Sequence, residues 1–270
     1  MTSRTESVLV RTALAVASAA AQEAGQLLRQ RQPTARALQR KGRANVTTDA
    51  DLAAEALLTA RLRAAFPEHA LLAEEGGQQG PPDQPCWVID PLDGTFNYLL
   101  GLPLYAISLA LVVEQVPLVG VIYLPATAEL FTATRGGGAF GNGTPLHGES
   151  GRRGREAVVG FDLGYHDARA RWMLAAVTTL WGNIQLLRCL GSPVLGCAAV
   201  AAGRFDLYLH PYLAPWDFAA GWLLVEEAGA RATDHRGQPL GLSSRSLVVG
   251  TPACHAQALE ALAAAGPLPP

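Results

Sequence analysis

Apolar residues recur at helical spacing near the start of the chain, with Val10, Leu14, Ala17, Ala21 and Leu28 on one face. This pattern predicts an amphipathic helix over 7–29, and the dominance of Ala and Leu agrees with it. Leu52, Ala56 and Ala60 repeat the spacing over 51–65, behind Thr48 or Asp49 as N-cap. The polar stretch from Lys41 to Thr47 reads as the turn between them.

The period then changes. Cys86-Trp-Val-Ile-Asp90 is a short run of β-forming residues stopped by Pro91 and an Asp93-Gly94 turn, so Asp90 is expected at the end of a buried strand. Strands over 107–114, 116–123 and 130–134, joined by short turns, predict an antiparallel sheet, and the glycine-rich stretch 135–144 ends that layer. Beyond it, strand-like runs at 158–163, 184–190, 205–209 and 246–250 alternate with Ala-rich helices at 168–179, 193–202 and 217–227 and one from 253. That alternation is α/β architecture. The expected division is an N-terminal α+β subdomain, 1–148, and a C-terminal α/β subdomain, 149–270, with no internal repeat.

Composition narrows the function class. At 49% apolar and 16% charged residues the chain is expected to fold into a packed core. A net charge of −2 gives no general attraction to nucleic acid or to an anionic membrane. Arg152, Arg153 and Arg155 read as a solvated loop. The uncharged stretch 97–113 is shorter than the roughly 18 residues of a membrane span and is broken by Gly101 and Pro103. The N-terminus carries no signal-peptide core, so a cytoplasmic location is expected. Cys86, Cys189, Cys197 and Cys254 show neither close pairing nor metal spacing and are expected as small buried residues. The six histidines are equally scattered, which disfavours zinc or redox chemistry. Among 21 basic residues Lys41 is the single lysine, which marks it for a role arginine does not serve.

Three segments place acids in unusual contexts. Asp90 ends a strand, and the Pro91-Leu92 bend turns Asp93 back toward it, so two carboxylates and the Leu92 carbonyl can face one point. Hard cations prefer such oxygen clusters. Gly94 and Thr95 follow, with backbone N–H groups placed to cradle phosphate oxygens. Glu74-Glu75-Gly-Gly reads alone as an acidic loop, and Asp217 in Pro-Trp-Asp217 reads alone as a helix cap, which is compatible with metal binding.

Asp90-Pro-Leu-Asp93-Gly-Thr95 with Asn97-Tyr98, and Trp216-Asp217-Phe-Ala-Ala-Gly with Glu226-Glu227-Ala-Gly229, resemble the two signatures of the inositol monophosphatase family, within the lithium-sensitive, Mg-dependent phosphatase superfamily. The likeness covers nearly the whole chain. It implies a layered αβαβα sandwich, shared with fructose-1,6-bisphosphatase, with the metals at the junction of two subdomains, and usually a homodimer. It also implies hydrolysis of a small phosphate monoester, inositol-1-phosphate-like or a related sugar or polyol phosphate, by metal-activated water without a phosphoenzyme. Two or three Mg²⁺ ions are implied. Glu74, Asp90 and the Leu92 carbonyl would hold the first, Asp90, Asp93 and Asp217 the second, and Glu74 would reach a third. Thr95, oriented by Asp51, would position the attacking water, Gly94 and Thr95 would hold the phosphate, Asp93 would also face substrate, and Lys41 would lie near the metals.

The sequence departs from the family pattern at Leu100-Gly101 and at His210. His210 lies seven residues before Asp217, where inositol-specific members carry a glutamate that contacts substrate hydroxyls, so His210 is a candidate selectivity residue and inositol is in doubt. Its alternative is a strand-end surface residue. The shared core leaves open 3′-phosphoadenosine 5′-phosphate, fructose 1,6-bisphosphate or histidinol phosphate as substrate, or a regulatory binding protein on this fold.

Overall fold

The computed structural model describes residues 3–42, 45–81, 83–152 and 154–270, with only the backbone described for 3–6, Lys41 and Asn45. Helix α1 (Ser3–Arg31) buries Ala13, Ala17, Ala20, Ala21, Ala24 and Leu28 along one stripe, and these small side chains let it lie close to a sheet. The strands β1 (Ala37–Gly42) and β2 (Asn45–Thr48) form a hairpin where the sequence predicted a turn. From Ala37 to Arg40 the side chains stay exposed or half-exposed, so no apolar period announces the strand. Helix α2 (Asp49–Ala65) starts at a capping box: Thr48 accepts from the N–H groups of Ala50 and Asp51, and Asp51 accepts from the Thr48 N–H.

The strands that follow are β3 (Ala70–Ala73), β4 (Gly77–Gln79), β5 (Cys86–Asp93), β6 (Ala106–Val113), β7 (Val116–Leu124), β8 (Glu129–Thr134), β9 (Gly138–Gly141) and β10 (Thr144–Pro145). They form one sheet in the order β10-β9-β8-β7-β6-β5-β3-β4, antiparallel except for the pair β3 and β5. A short helix α3 (Thr95–Leu99) follows β5. Contrary to expectation, Pro91 does not stop β5. The register against β6 slips between Asp90 and Asp93, and this irregularity accommodates a residue that cannot donate to the ladder.

After Pro145 come β11 (Val158–Phe161), α4 (Asp167–Leu180), β12 (Leu186–Cys189), α5 (Pro193–Ala201), β13 (Leu207–His210), α6 (Ala219–Glu227), β14 (Arg231–Thr233), β15 (Leu247–Gly250) and α7 (Pro252–Ala264). These five strands make a second sheet in the order β12-β11-β13-β15-β14. Period-two alternation assigns the faces of the first sheet: Trp87, Ile89, Leu109 and Val121 pack against α1 and α2, whereas Val88, Ala110 and Ile122 pack against α5 and α6. The second sheet sits on the other side of α5 and α6 through Tyr208 and Val249. Its outer face, with Val159, Leu207 and Val248, is covered by α4 and α7. The result is five layers, αβαβα, and each fully buried Leu or Ile in them contributes about 1.5–3 kcal/mol. Gly120 permits the close approach of α6, since a Cβ there would lie 3.0 Å from the Ala220 carbonyl oxygen.

Other expectations need correction. Arg152 is not simply solvated: its Nε donates to Oδ2 of Asp206 at 2.8 Å, and Asp206 is fully buried, where an unpaired charge would be costly. Arg153 lies outside the described residues. Cys197 and Cys254 are buried, but Cys86 is half-buried and Cys189 exposed. Asp217 does not cap α6: it ends a single 3₁₀ turn, Pro215–Asp217, and Phe218 takes the cap position. Among the described residues no helix is long and apolar enough to cross a membrane.

Candidate active site

Three carboxylates meet where the first sheet touches the middle helices. Asp90 and Asp93 come from the irregular end of β5 and Asp217 from the turn before α6; one oxygen of each lies within 4.8 Å of the others. The backbone aims all three. Asp90 Oδ1 accepts from the Leu92 N–H at 3.0 Å, Asp93 Oδ2 from the Val194 N–H at 3.0 Å, and Asp217 Oδ2 from the Ala214 N–H at 2.7 Å. Asp93 Oδ2 also takes a short hydrogen bond from the Ser192 hydroxyl.

Burial raises Asp90 well above the usual carboxylate range, and the charges of Glu74, Asp93 and Asp217 push it further. Asp93 is raised too, by burial first, against the opposing bond from Ser192. Desolvation pushes Asp217 up to about 7. Acids so close cannot all ionise without a compensating positive charge. Within this cluster the donors are carboxylate oxygens alone, the set a hard divalent cation takes, whereas zinc favours nitrogen and sulfur. The residues therefore fit Mg²⁺.

Glu74 follows β3 and lines the same cavity. Its N–H donates to the Ile89 carbonyl at 3.2 Å, and the next N–H, of Glu75, donates to Glu55 Oε2 at 2.9 Å, so the loop is tied to β5 and α2. The Leu92 carbonyl points at Thr95, accepting from its hydroxyl at 2.9 Å. The same hydroxyl lies 3.0 Å from Asp51 Oδ1. With one proton it donates to one of these acceptors at a time. Asp51, 1% exposed, is raised to about 6 by burial, against the bonds from Thr48 and Thr95. Gly94 has φ +82° and a Cβ there would meet the Leu104 carbonyl at 2.7 Å, so the turn into α3 requires glycine.

His210 is no surface residue. It ends β13 at 7% exposure, lines the cavity, and its Nδ1 accepts from the Tyr212 N–H at 3.2 Å. Burial lowers it to about 4, so the imidazole is neutral at physiological pH. The Lys41 side chain lies outside the described residues. The other predicted site residues, Asp51 apart, line one cavity of about 380 Å³, and Asp51 reaches it through Thr95.

Sequence reasoning missed the support for Asp93. Asp162, just after β11, accepts from the N–H groups of Leu190 at 3.0 Å, Gly191 at 2.6 Å and Ser192 at 3.3 Å. It also accepts from the Tyr208 phenol at 2.7 Å and the Cys189 thiol at 3.2 Å. This one carboxylate holds the loop that presents Ser192 to Asp93. The visible signal was Ser192-Pro193, an N-cap with proline at the first helical position.

Over residues 9–266 the chain matches the inositol monophosphatase family. It is 38% identical over 244 residues to Nus factor SuhB of Escherichia coli strain K12, covering 88% of this chain and 91% of that one. It is 35% identical over 238 residues to inositol monophosphatase 2 of Solanum lycopersicum, covering 85% and 90%. Among solved structures, the extragenic suppressor protein suhB from Bartonella henselae aligns with a TM-score of 0.88 at 32% identity, over 93% of this chain and 98% of that one.

Proposed function

Because the chain belongs to the inositol monophosphatase family, we propose that it hydrolyses a small phosphate monoester with Mg²⁺ held by Glu74, Asp90, Asp93, Asp217 and the Leu92 carbonyl. The observation that carries this reading is the convergence of Asp90, Asp93 and Asp217 beside the Thr95–Asp51 pair. Glu74, Asp90 and the Leu92 carbonyl would hold one ion, Asp90, Asp93 and Asp217 a second, and Glu74 would reach a third. Bound divalent cations supply charge neutralisation at the phosphoryl oxygens and acidify water.

The chain's own groups do the rest. Thr95 Oγ1, fixed by Asp51 and the Leu92 carbonyl, orients the attacking water. The N–H groups of Gly94 and Thr95 hold phosphate oxygens, which places phosphorus between water and leaving group. The water oxygen forms the new P–O bond as the bond to the alcohol oxygen breaks. The alcohol leaves with a proton, and inorganic phosphate remains. No side chain becomes phosphorylated. Lys41 belongs near the ions in this reading, and the enzyme is cytoplasmic, homodimeric and inhibited by lithium.

Phosphate release by the purified protein with MgCl₂ and a panel of small monoesters tests the proposal, and no release from any ester refutes it. Thr95→Ala is expected to lower kcat about 100-fold, the scale of a positioned proton-transfer group, with KM within a few-fold. A change in KM alone would move Thr95 to binding only. The identity to a Nus factor favours a second role, docking on transcription machinery. Asp90→Asn separates the two, since it removes hydrolysis and leaves the outer surface intact. Failure of both wild type and variant to bind purified RNA polymerase at micromolar concentration removes that second role.

A further inference from the structure

Away from the carboxylates the cavity wall changes character. Phe96, Tyr165, Tyr212 and Trp216 line it, with Leu163 and Leu213 alongside. Phe96, Tyr165 and Tyr212 remain 40%, 61% and 45% exposed, so their ring surface is open to a ligand. Open aromatic surface beside a charged site is what a ligand's apolar part covers. Tyr212 is also held in place. The Arg169 guanidinium carbon stands 4.0 Å from its ring centroid, and Arg169 Nε donates to the Pro269 carbonyl at 3.2 Å. A cation over one face fixes and polarises the ring.

Several polar side chains of this half hydrogen-bond within the protein. Asp162 accepts hydrogen bonds from three backbone N–H groups, a phenol and a thiol. Asn97 Nδ2 donates to the carbonyls of Leu104 and Leu190, each at 2.8 Å. His210 uses Nδ1 on Tyr212, which leaves its neutral imidazole a single donor, Nε2–H, for a ligand. A polyol entering here would meet the Tyr165 and Tyr212 hydroxyls and one imidazole N–H, and each of its own hydroxyls left unpaired beside the rings would be penalised. A planar ring loses little hydration and gains stacking.

Resting on the phosphatase reading above, we infer that the ester hydrolysed here carries a planar aromatic or heteroaromatic group on its alcohol, bound by Tyr165 and Tyr212 while the phosphate faces Asp90, Asp93 and Asp217. Polyol phosphates are the poorer substrates.

The test compares kcat/KM, in Mg²⁺, for adenosine 5′-monophosphate, methyl riboside 5-phosphate and inositol 1-phosphate. The first two share the reacting primary alcohol and differ by the planar base, so leaving-group chemistry cancels. The nucleotide is expected to exceed each of the others by about tenfold, the factor one aromatic contact supplies. Tyr165→Leu and Tyr212→Leu keep apolar bulk and remove the ring. Both side chains are substantially exposed, so neither change opens a buried void, and each is expected to bring the nucleotide-to-riboside ratio toward one. Arg169→Gln, which leaves Tyr212 in place but unheld, is expected to lower it by a smaller factor. A wild-type ratio at or below one, a preference for inositol 1-phosphate, or a ratio unmoved in both tyrosine variants overturns the inference alone. Absence of phosphate release from all three esters, and from the wider panel, overturns the phosphatase reading together with it.

Discussion

Asp90→Asn is expected to lower kcat by three or more orders of magnitude while raising the melting temperature of the metal-free protein. The substitution is isosteric, and the amide oxygen can keep the bond from the Leu92 N–H. What changes is one negative charge out of three that lie within 4.8 Å. With cations bound, that charge helps stabilise a transition state by several kcal/mol, and each 1.36 kcal/mol is about a decade in rate. Without cations the same carboxyl must either repel its neighbours as an anion or take up a proton to stay buried, so its replacement by a neutral amide relieves the fold. Asp217→Asn is expected to behave alike, since the Ala214 N–H keeps an oxygen to bond. Steady-state kinetics and thermal melts in chelator check both signs. A variant retaining more than about a tenth of wild-type kcat shows that its residue is not a core ligand.

Chelation is expected to abolish phosphate release, and added Mg²⁺ to restore it; full activity in excess chelator would end the metal assignment. The metal-free protein also acquires a characteristic response to pH. Asp51 is raised from 3.8 to about 6 and Asp217 to about 7, and Asp90 and Asp93 are raised as well. Between the ordinary value and the raised one the folded state binds more protons than the unfolded state, so stability falls as pH rises through that window. Melting temperature in chelator should therefore be higher at pH 5 than at pH 7.5. On the proposed reading Mg²⁺ would bind only the folded, deprotonated site and stabilise it by mass action, more strongly at higher pH, so the slope should flatten or reverse. An identical slope with and without Mg²⁺ would show that the acids do not share a cation.

What the sequence disclosed follows from where its information is local. Helix α1 and strands β6 and β7 carry long apolar periods, and Asp90, Leu92, Asp93, Gly94 and Thr95 sit within six residues because one bend must present them together. The β1–β2 hairpin carried no such signal, being held by backbone pairing between short strands of mostly polar sequence. Strands β3, β4, β9 and β10 are four residues or fewer, too short for alternation to register. The support of Asp93 by Ser192 spans 99 residues, and that of Ser192 by Asp162 spans 30; neither has a pattern along the chain. Arg152 looked solvated because its partner Asp206 is 54 residues away. Pro91 misled because proline argues against a ladder, and only the neighbouring strand shows the slip that admits it.

The Asp162 junction gives the carboxylate site the character of a bolt driven through the layers. Asp90 and Asp93 arrive from the first sheet, while the N–H of Val194 and the hydroxyl of Ser192 arrive from the start of α5. The loop before that helix is pinned by an acid just after β11, and a phenol on β13 in the second sheet holds that acid in turn. A fragment ending at Pro145 would keep two of the three clustered acids, yet lose Asp217 and everything that aims Asp93. Exchanging halves between relatives meets the same obstacle: each half carries part of a threaded fastening, and the threads must match across a joint that no single segment contains.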